Sequence, residues 1–311
     1  MLTVGYRFKD IDATILLDKA IEYYCPTLFS LINPLTDWNK AMYEYQKLDA
    51  KRKAKWKVDS TWEGDANFYD LIVTAAYNDP KSITFLASFD KILKELIYII
   101  PKKIQINFDK SVHGRITNID DGLNYMTVFG ELFALHNVLS KGDTQLVEMD
   151  SSRVSNLICT EYLHGEHLTG DYDYKLYVKK TRITYLAEIG NILNIKIEKI
   201  KNDASLISTL RKSIKKKIKQ KTKNISKDNL KYELYFIFVI FVSPIKEWAR
   251  FEKALLELEK TFGEEFNKEY RILSFLTYVR TPIGKTNYLY EMDSISNFID
   301  RYNKHPSTAL S

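Results

Sequence analysis

A chain of 311 residues that is 45% hydrophobic and 13% aromatic carries enough apolar mass for a packed core, which excludes an intrinsically disordered protein. With 11 glycines, 7 prolines and two cysteines (Cys25 and Cys159) it is neither fibrous nor linker-rich, and it has no disulfide framework or cysteine-based zinc site. A formal charge of +6 permits an anionic partner without demanding one.

In chain order, the start MLTVGYRFKD has no basic segment followed by an apolar run, so no secretory signal is expected and the cytoplasm is the expected compartment. Leu2 to Phe8 reads as a short strand. Asp12 is placed to cap a helix through Tyr24, stopped at Cys25-Pro26 because a residue before proline is pushed out of the helical region. A second helix is expected from Thr36 to Lys57. It ends with Lys51, Arg52, Lys53, Lys55 and Lys57 crowded around Trp56, which suits either a solvated helix end or a backbone-neutralising, base-stacking patch. Asn67 to Tyr77 and Ser82 to Ala87 read as strands about the turn Asn78-Asp79-Pro80. Asp90 to Ile100 has a helical apolar stripe ended by Pro101. Ile104 to Phe108 reads as another strand, and 111–118 as loop.

The expected boundary lies here, with an N-terminal α+β region at 1–115 and a second unit at 116–311. A helix is expected from Gly122 to Ser140, carrying Glu131 and His136, with Gly142 just past its end. Gln145 to Met149 follows as a strand and 151–162 as a short helix. The loop 163–171 contains His164-Gly165-Glu166-His167. Zinc hydrolase signatures place histidines at i and i+4 on a helix, so this spacing beside glycines reads as polar loop.

Asp171 to Ile189 alternates polar and apolar residues on both sides of a Lys180-Thr181 step, the pattern of an antiparallel hairpin. Folded about that step, opposed residues have numbers summing to 361, which sets Asp173 against Glu188. Like charges directly opposite on a sheet are destabilising, so the pair invites a metal, a proton or a cation. Asp203 to Lys221 is expected as a helix with Leu206, Leu210, Ile214 and Ile218 in one stripe. It is also the most basic element, with Arg211, Lys212, Lys215, Lys216, Lys217 and Lys219 among eight cations unrelieved by acid between 211 and 223. Such a run self-repels, and phosphate contact would relieve it.

Leu234 to Val242 is the longest apolar run and, at nine residues, too short to cross a membrane; it reads as a strand buried on both faces. A helix from Pro244 to Phe262 and a strand from Ile272 to Val279 complete a βαβ unit, so the two strands are expected to be parallel. A short helix from Ser294 to Tyr302 closes the chain. No phosphate loop, dinucleotide fingerprint or GxSxG elbow occurs, which argues against kinase, dehydrogenase and α/β-hydrolase chemistry.

A helix with Glu131, a strand, a hairpin with Asp173 and Glu188, a basic helix and a buried strand make residues 122–281 resemble the PD-(D/E)XK, restriction-endonuclease-like nuclease superfamily. The resemblance implies an α/β fold with a central mixed sheet flanked by helices. It also implies Mg²⁺ held by Asp173 and Glu188, with Glu131 as the helix carboxylate. The family's lysine falls at Gly190 here; Lys175, beside Asp173, is the candidate to replace it, with Lys196 as the alternative. The expected function is a metal-dependent nuclease with the cations of 211–219 on nucleic acid. The alternative is a non-catalytic nucleic-acid-binding or assembly subunit, for example of a defence or viral system, with a protein partner or a second copy as further possibilities.

Overall fold

The computed structural model describes residues 3–5, 16–60, 63–65, 67–116, 124–149, 172–192, 200–222, 233–242, 253–254, 257–258, 271–283 and 287–294. Helix and strand are mixed. The first part is helical: α1 (Leu17–Tyr24), α2 (Pro26–Ile32), α3 (Trp38–Val58), α4 (Phe68–Ala76), α5 (Pro80–Ile99), α6 (Lys102–Ile116) and α7 (Asn124–Leu139). A small antiparallel pair accompanies them, β1 (Thr3–Gly5) with β2 (Glu63–Asp65). There follow β3 (Thr144–Met149), β4 (Tyr174–Val178), β5 (Ile183–Ile192), α8 (Asp203–Thr222), β6 (Glu233–Val242), β7 (Arg271–Ile283) and β8 (Asn287–Ser294). No helix among the described residues is long and apolar enough to cross a membrane.

The main sheet has six strands in the order β3-β4-β5-β6-β7-β8. β3, β4 and β5 are mutually antiparallel, β5, β6 and β7 run parallel, and β8 returns antiparallel. The helix α8 lies between the parallel strands β5 and β6, as a crossover requires. The parallel pairing expected for the two apolar strands is present from Ile237↔Ser274 to Val242↔Val279. Of the helix expected from Pro244, the described residues are helical, with Ala254 and Leu258 buried and Lys253 and Glu257 exposed.

Three sequence expectations are corrected. Asn67–Tyr77 and Ser82–Ala87 are not strands but α4 and the start of α5, and Ile104–Phe108 lies inside α6, which also takes up much of the expected loop at 111–118. The reason lies at the helix starts. The Asn67 side chain accepts from Asp70 N–H at 3.0 Å while Asp70 accepts from Asn67 N–H at 2.7 Å, a reciprocal cap that nucleates α4. Asp79 accepts from Ser82 N–H at 2.8 Å with Pro80 in the first turn of α5, so Asn78-Asp79-Pro80 starts a helix and does not close a hairpin. Phe68 to Ala75 are all buried, which hides the amphipathic stripe that marks a surface helix. The strand β8 went unforeseen; Ser294 ends it and does not open a helix, and 295–302 lie outside the described residues, as do 151–162 and 163–171.

Phe129 of α7 is the hub of the helical core, with ring centroids 4.0 Å from Phe89, 4.6 Å from Phe85 and 6.1 Å from Phe68. The same buried cluster takes in Leu146, Met149, Tyr174, Leu176, Ala187 and Ile189, so the helices cover one face of β3–β5 and the core continues across the boundary expected at 115/116. Leu206, Leu210, Ile214 and Ile218 of α8 are buried outside that cluster, and α8 packs on β5, so it covers the other face. The expected four-residue stripe is thus the buried face of α8.

Candidate active site

The hairpin forms in the expected register. The pairs Tyr174↔Ala187, Lys175↔Leu186, Leu176↔Tyr185, Tyr177↔Thr184 and Val178↔Ile183 all sum to 361. Arg182, at φ 58°, closes the turn, and its N–H donates to Val178 O at 2.8 Å. Asp173 lies one residue before the ladder. Its N–H donates to Ala187 O at 2.9 Å, and its Oδ2 accepts from Ile189 N–H at 2.7 Å. Asp173 therefore grips β5 on both sides of Glu188, with its carboxylate against the neighbouring backbone.

Asp173 and Glu188 are each 3% exposed. Oδ1 of Asp173 and Oε2 of Glu188 are buried oxygens. Two adjacent carboxylates withdrawn from water cannot both ionise without cost, and a divalent cation or a proton relieves that cost. Hard oxygen donors of this kind suit Mg²⁺, which is commonly held by one or two carboxylates with water and substrate phosphate completing its shell.

Glu131 is buried as well, on α7, which covers the Ala187 and Ile189 face. Among the described residues no three or more His, Cys, Asp or Glu side chains gather into a group able to hold a metal, so Glu131 does not join Asp173 and Glu188 as a third ligand. Lys175 donates to Glu148 Oε2 at 2.9 Å and sits 5.7 Å from the Tyr172 ring centroid. Glu148 is on β3, so this ammonium reaches away from Glu188 on β5. Gly190, where the resemblance asks for lysine, pairs with Phe238 of β6.

On α8, Lys212, Lys215, Lys216 and Lys219 are exposed and lie opposite the buried stripe, while Arg211 is half-buried. The side chain of Lys217 lies outside the described ones. His136 is an interhelical partner, its Nε2 2.5 Å from Glu95 Oε2 of α5. Cys25 is inert: burial pushes its thiol well above the ordinary value, and it donates to Leu86 O at 3.8 Å. His164, His167 and Lys196 lie outside the described residues.

Two polar contacts escaped the sequence reading. Glu148 holds Lys175, and Arg52 belongs to no surface patch. Arg52 is buried and donates from Nη1 to both oxygens of Asp70, at 2.9 and 2.8 Å, where the Tyr45 hydroxyl also donates at 3.0 Å. The spacing Asn67-x-x-Asp70, a capping box, was the one available signal for that acid.

No family model, curated protein or solved structure matches this chain.

Proposed function

We propose that residues 122–281 form a nuclease-like unit in which Asp173 and Glu188 hold a divalent cation and act on a nucleic acid phosphodiester. The observation that carries this is that Asp173 bonds to Ala187 and Ile189, the two neighbours of Glu188, and that both acids are buried. The order of elements supports it: a Glu-bearing helix, a strand, an acidic hairpin, a basic helix and a parallel strand. Mg²⁺ bound at the pair would supply Lewis acidity for a water nucleophile and neutralise charge on the phosphodiester. Ile189 N–H orients the Asp173 carboxylate by donating to its Oδ2. The exposed lysines of α8 supply phosphate contact whose strength falls with salt.

One observation favours a second reading, a nucleic-acid-binding or assembly subunit that does not cleave. Glycine stands at position 190, and the ammonium of Lys175 is engaged by Glu148 on the far side of β4. Labelled single- and double-stranded DNA and RNA, incubated with Mg²⁺ or Mn²⁺, separate the two. Cleavage abolished by Asp173→Asn and by Glu188→Gln, with binding intact, is the expected result. Binding without cleavage in the wild-type protein selects the second reading, and absence of both rejects the two together.

A further inference from the structure

Charge is segregated in this chain. Helix α3 holds seven basic and two acidic residues, a formal +5, and α8 holds seven and one, a formal +6. The chain as a whole carries only +6, so everything outside these two helices sums to −5. The two helices lie apart in the fold, since α3 packs on α1 while α8 packs on β5 on the sheet face away from the helical cluster. The function proposed above uses α8 alone and leaves α3 without a task.

Over 21 residues α3 buries only Ala41, Tyr45 and Arg52. Of the cations crowded around Trp56, which suited either a solvated helix end or a base-stacking patch, Lys51, Lys55 and Lys57 are exposed. Arg52 is consumed by Asp70, Lys53 is tied to Asp49 at 2.9 Å, and Trp56 is half-buried. Exposed cations also form a line along the helix. Lys40, Lys47, Lys51 and Lys55 are exposed, and at 3.6 residues per turn they fall on one side of the helix together with Tyr43, which is 62% exposed. Glu44, half-buried, is the single acid within that arc. Lys47, Lys51 and Lys55 follow one another at i, i+4 and i+8, about 6 Å apart along the axis, a like-charge spacing that weakens an isolated helix.

We infer that this face of α3 is a second nucleic-acid-binding surface, separate from the candidate active site, and that it takes a single strand. The lysine line supplies phosphate neutralisation. Tyr43, between Lys40 and Lys47, supplies a stacking face. An unpaired strand presents its bases to an aromatic ring, whereas a duplex hides them and an acidic protein surface has none.

The test uses the full chain, in EDTA so that no cleavage intervenes, with fluorescent 20-nucleotide single-stranded and duplex DNA and RNA probes read by anisotropy. The variant Lys47→Gln/Lys51→Gln should weaken single-strand binding about tenfold at low salt and flatten its salt dependence by roughly 0.7 of a log unit per lysine removed. Tyr43→Ala should weaken single-strand binding at least about fivefold and leave duplex binding unchanged. Circular dichroism melts matching the wild type keep the comparison fair. Unaltered single-strand affinity in both variants overturns the inference, as does an equal loss on duplex in Tyr43→Ala. A wild-type protein that binds no probe at low salt also overturns it and points to an acidic protein partner. Cleavage assays on Asp173→Asn are scored separately, so the α3 surface and the proposed active site stand or fall apart.

Discussion

Replacing Arg52 with alanine should destabilise the protein by about 3–5 kcal/mol, the usual cost of stripping one partner from a buried ion pair. The magnitude follows from what surrounds Asp70. Its carboxylate receives both contacts from Arg52 Nη1, at 2.9 and 2.8 Å, together with the Tyr45 hydroxyl at 3.0 Å and Asn67 N–H at 2.7 Å. Burial already lifts its pKa above the ordinary 3.8, and the Arg52 charge is the largest influence opposing that rise. Without Arg52 only two neutral donors remain for a buried carboxylate, and the folded-state pKa climbs further. The folded protein then takes up this proton at higher pH than the unfolded chain does. The destabilisation is therefore full above the folded-state pKa, declines as pH falls through it, and is largely gone below 3.8, where both states are neutral. Urea unfolding followed by far-UV circular dichroism, at neutral pH and at stepwise lower pH, reads both effects. Lys51→Ala, one residue away and exposed, is the control and should change stability by no more than about 0.5 kcal/mol. A loss for Arg52→Ala as small as the control's, or one that grows on acidification, would refute the reasoning.

Gly142 follows α7 with φ +77° and nothing within 4 Å of a Cβ placed there, so Gly142→Ala should cost about 1–2 kcal/mol from backbone conformation alone. Asparagine at the same position should cost less, and thermal melts of the two variants check the order. His113 of α6 has its pKa lowered from 6.5 by burial, so the unfolded chain protonates first. Stability should therefore decline as pH falls below about 6.5, with a sign opposite to that of Asp70, and His113→Gln should flatten this part of the unfolding profile.

How much of this was legible depended on whether a local signal outweighed composition. The apolar run Leu234–Val242 reads as a strand at sight, and the spacing of Leu206, Leu210, Ile214 and Ile218 fixes the buried face of α8 because a helix on a sheet needs one stripe. The hairpin register was legible because strict alternation excludes a one-residue slip, which would turn Tyr174, Leu176 and Ala187 out of the core, and the Lys180-Thr181 step marks the turn. Phe68 to Val73 misleads because β-branched and aromatic residues suit a strand, whereas a fully buried helix takes them equally well and the Asn67 cap decides. Around the candidate site, alternation predicted a simple Asp173–Glu188 pair. It did not foresee that Asp173 would leave the ladder to bind the Ile189 backbone, because that contact depends on where β4 begins. Nor could it place Lys175, whose partner Glu148 comes from a strand 27 residues away.

The central claim is that Asp173 and Glu188 form a divalent cation site, and metal-dependent thermal stability tests it most directly. The wild-type melting temperature should rise on adding Mg²⁺ or Mn²⁺, by the equivalent of about 2.7 kcal/mol at a metal concentration a hundredfold above Kd. Glu188→Gln, which removes one of two adjacent buried charges, should be at least as stable as wild type in EDTA and gain nothing from metal. A wild-type protein indifferent to both ions, or a Glu188→Gln variant that gains as much as wild type, would contradict the account.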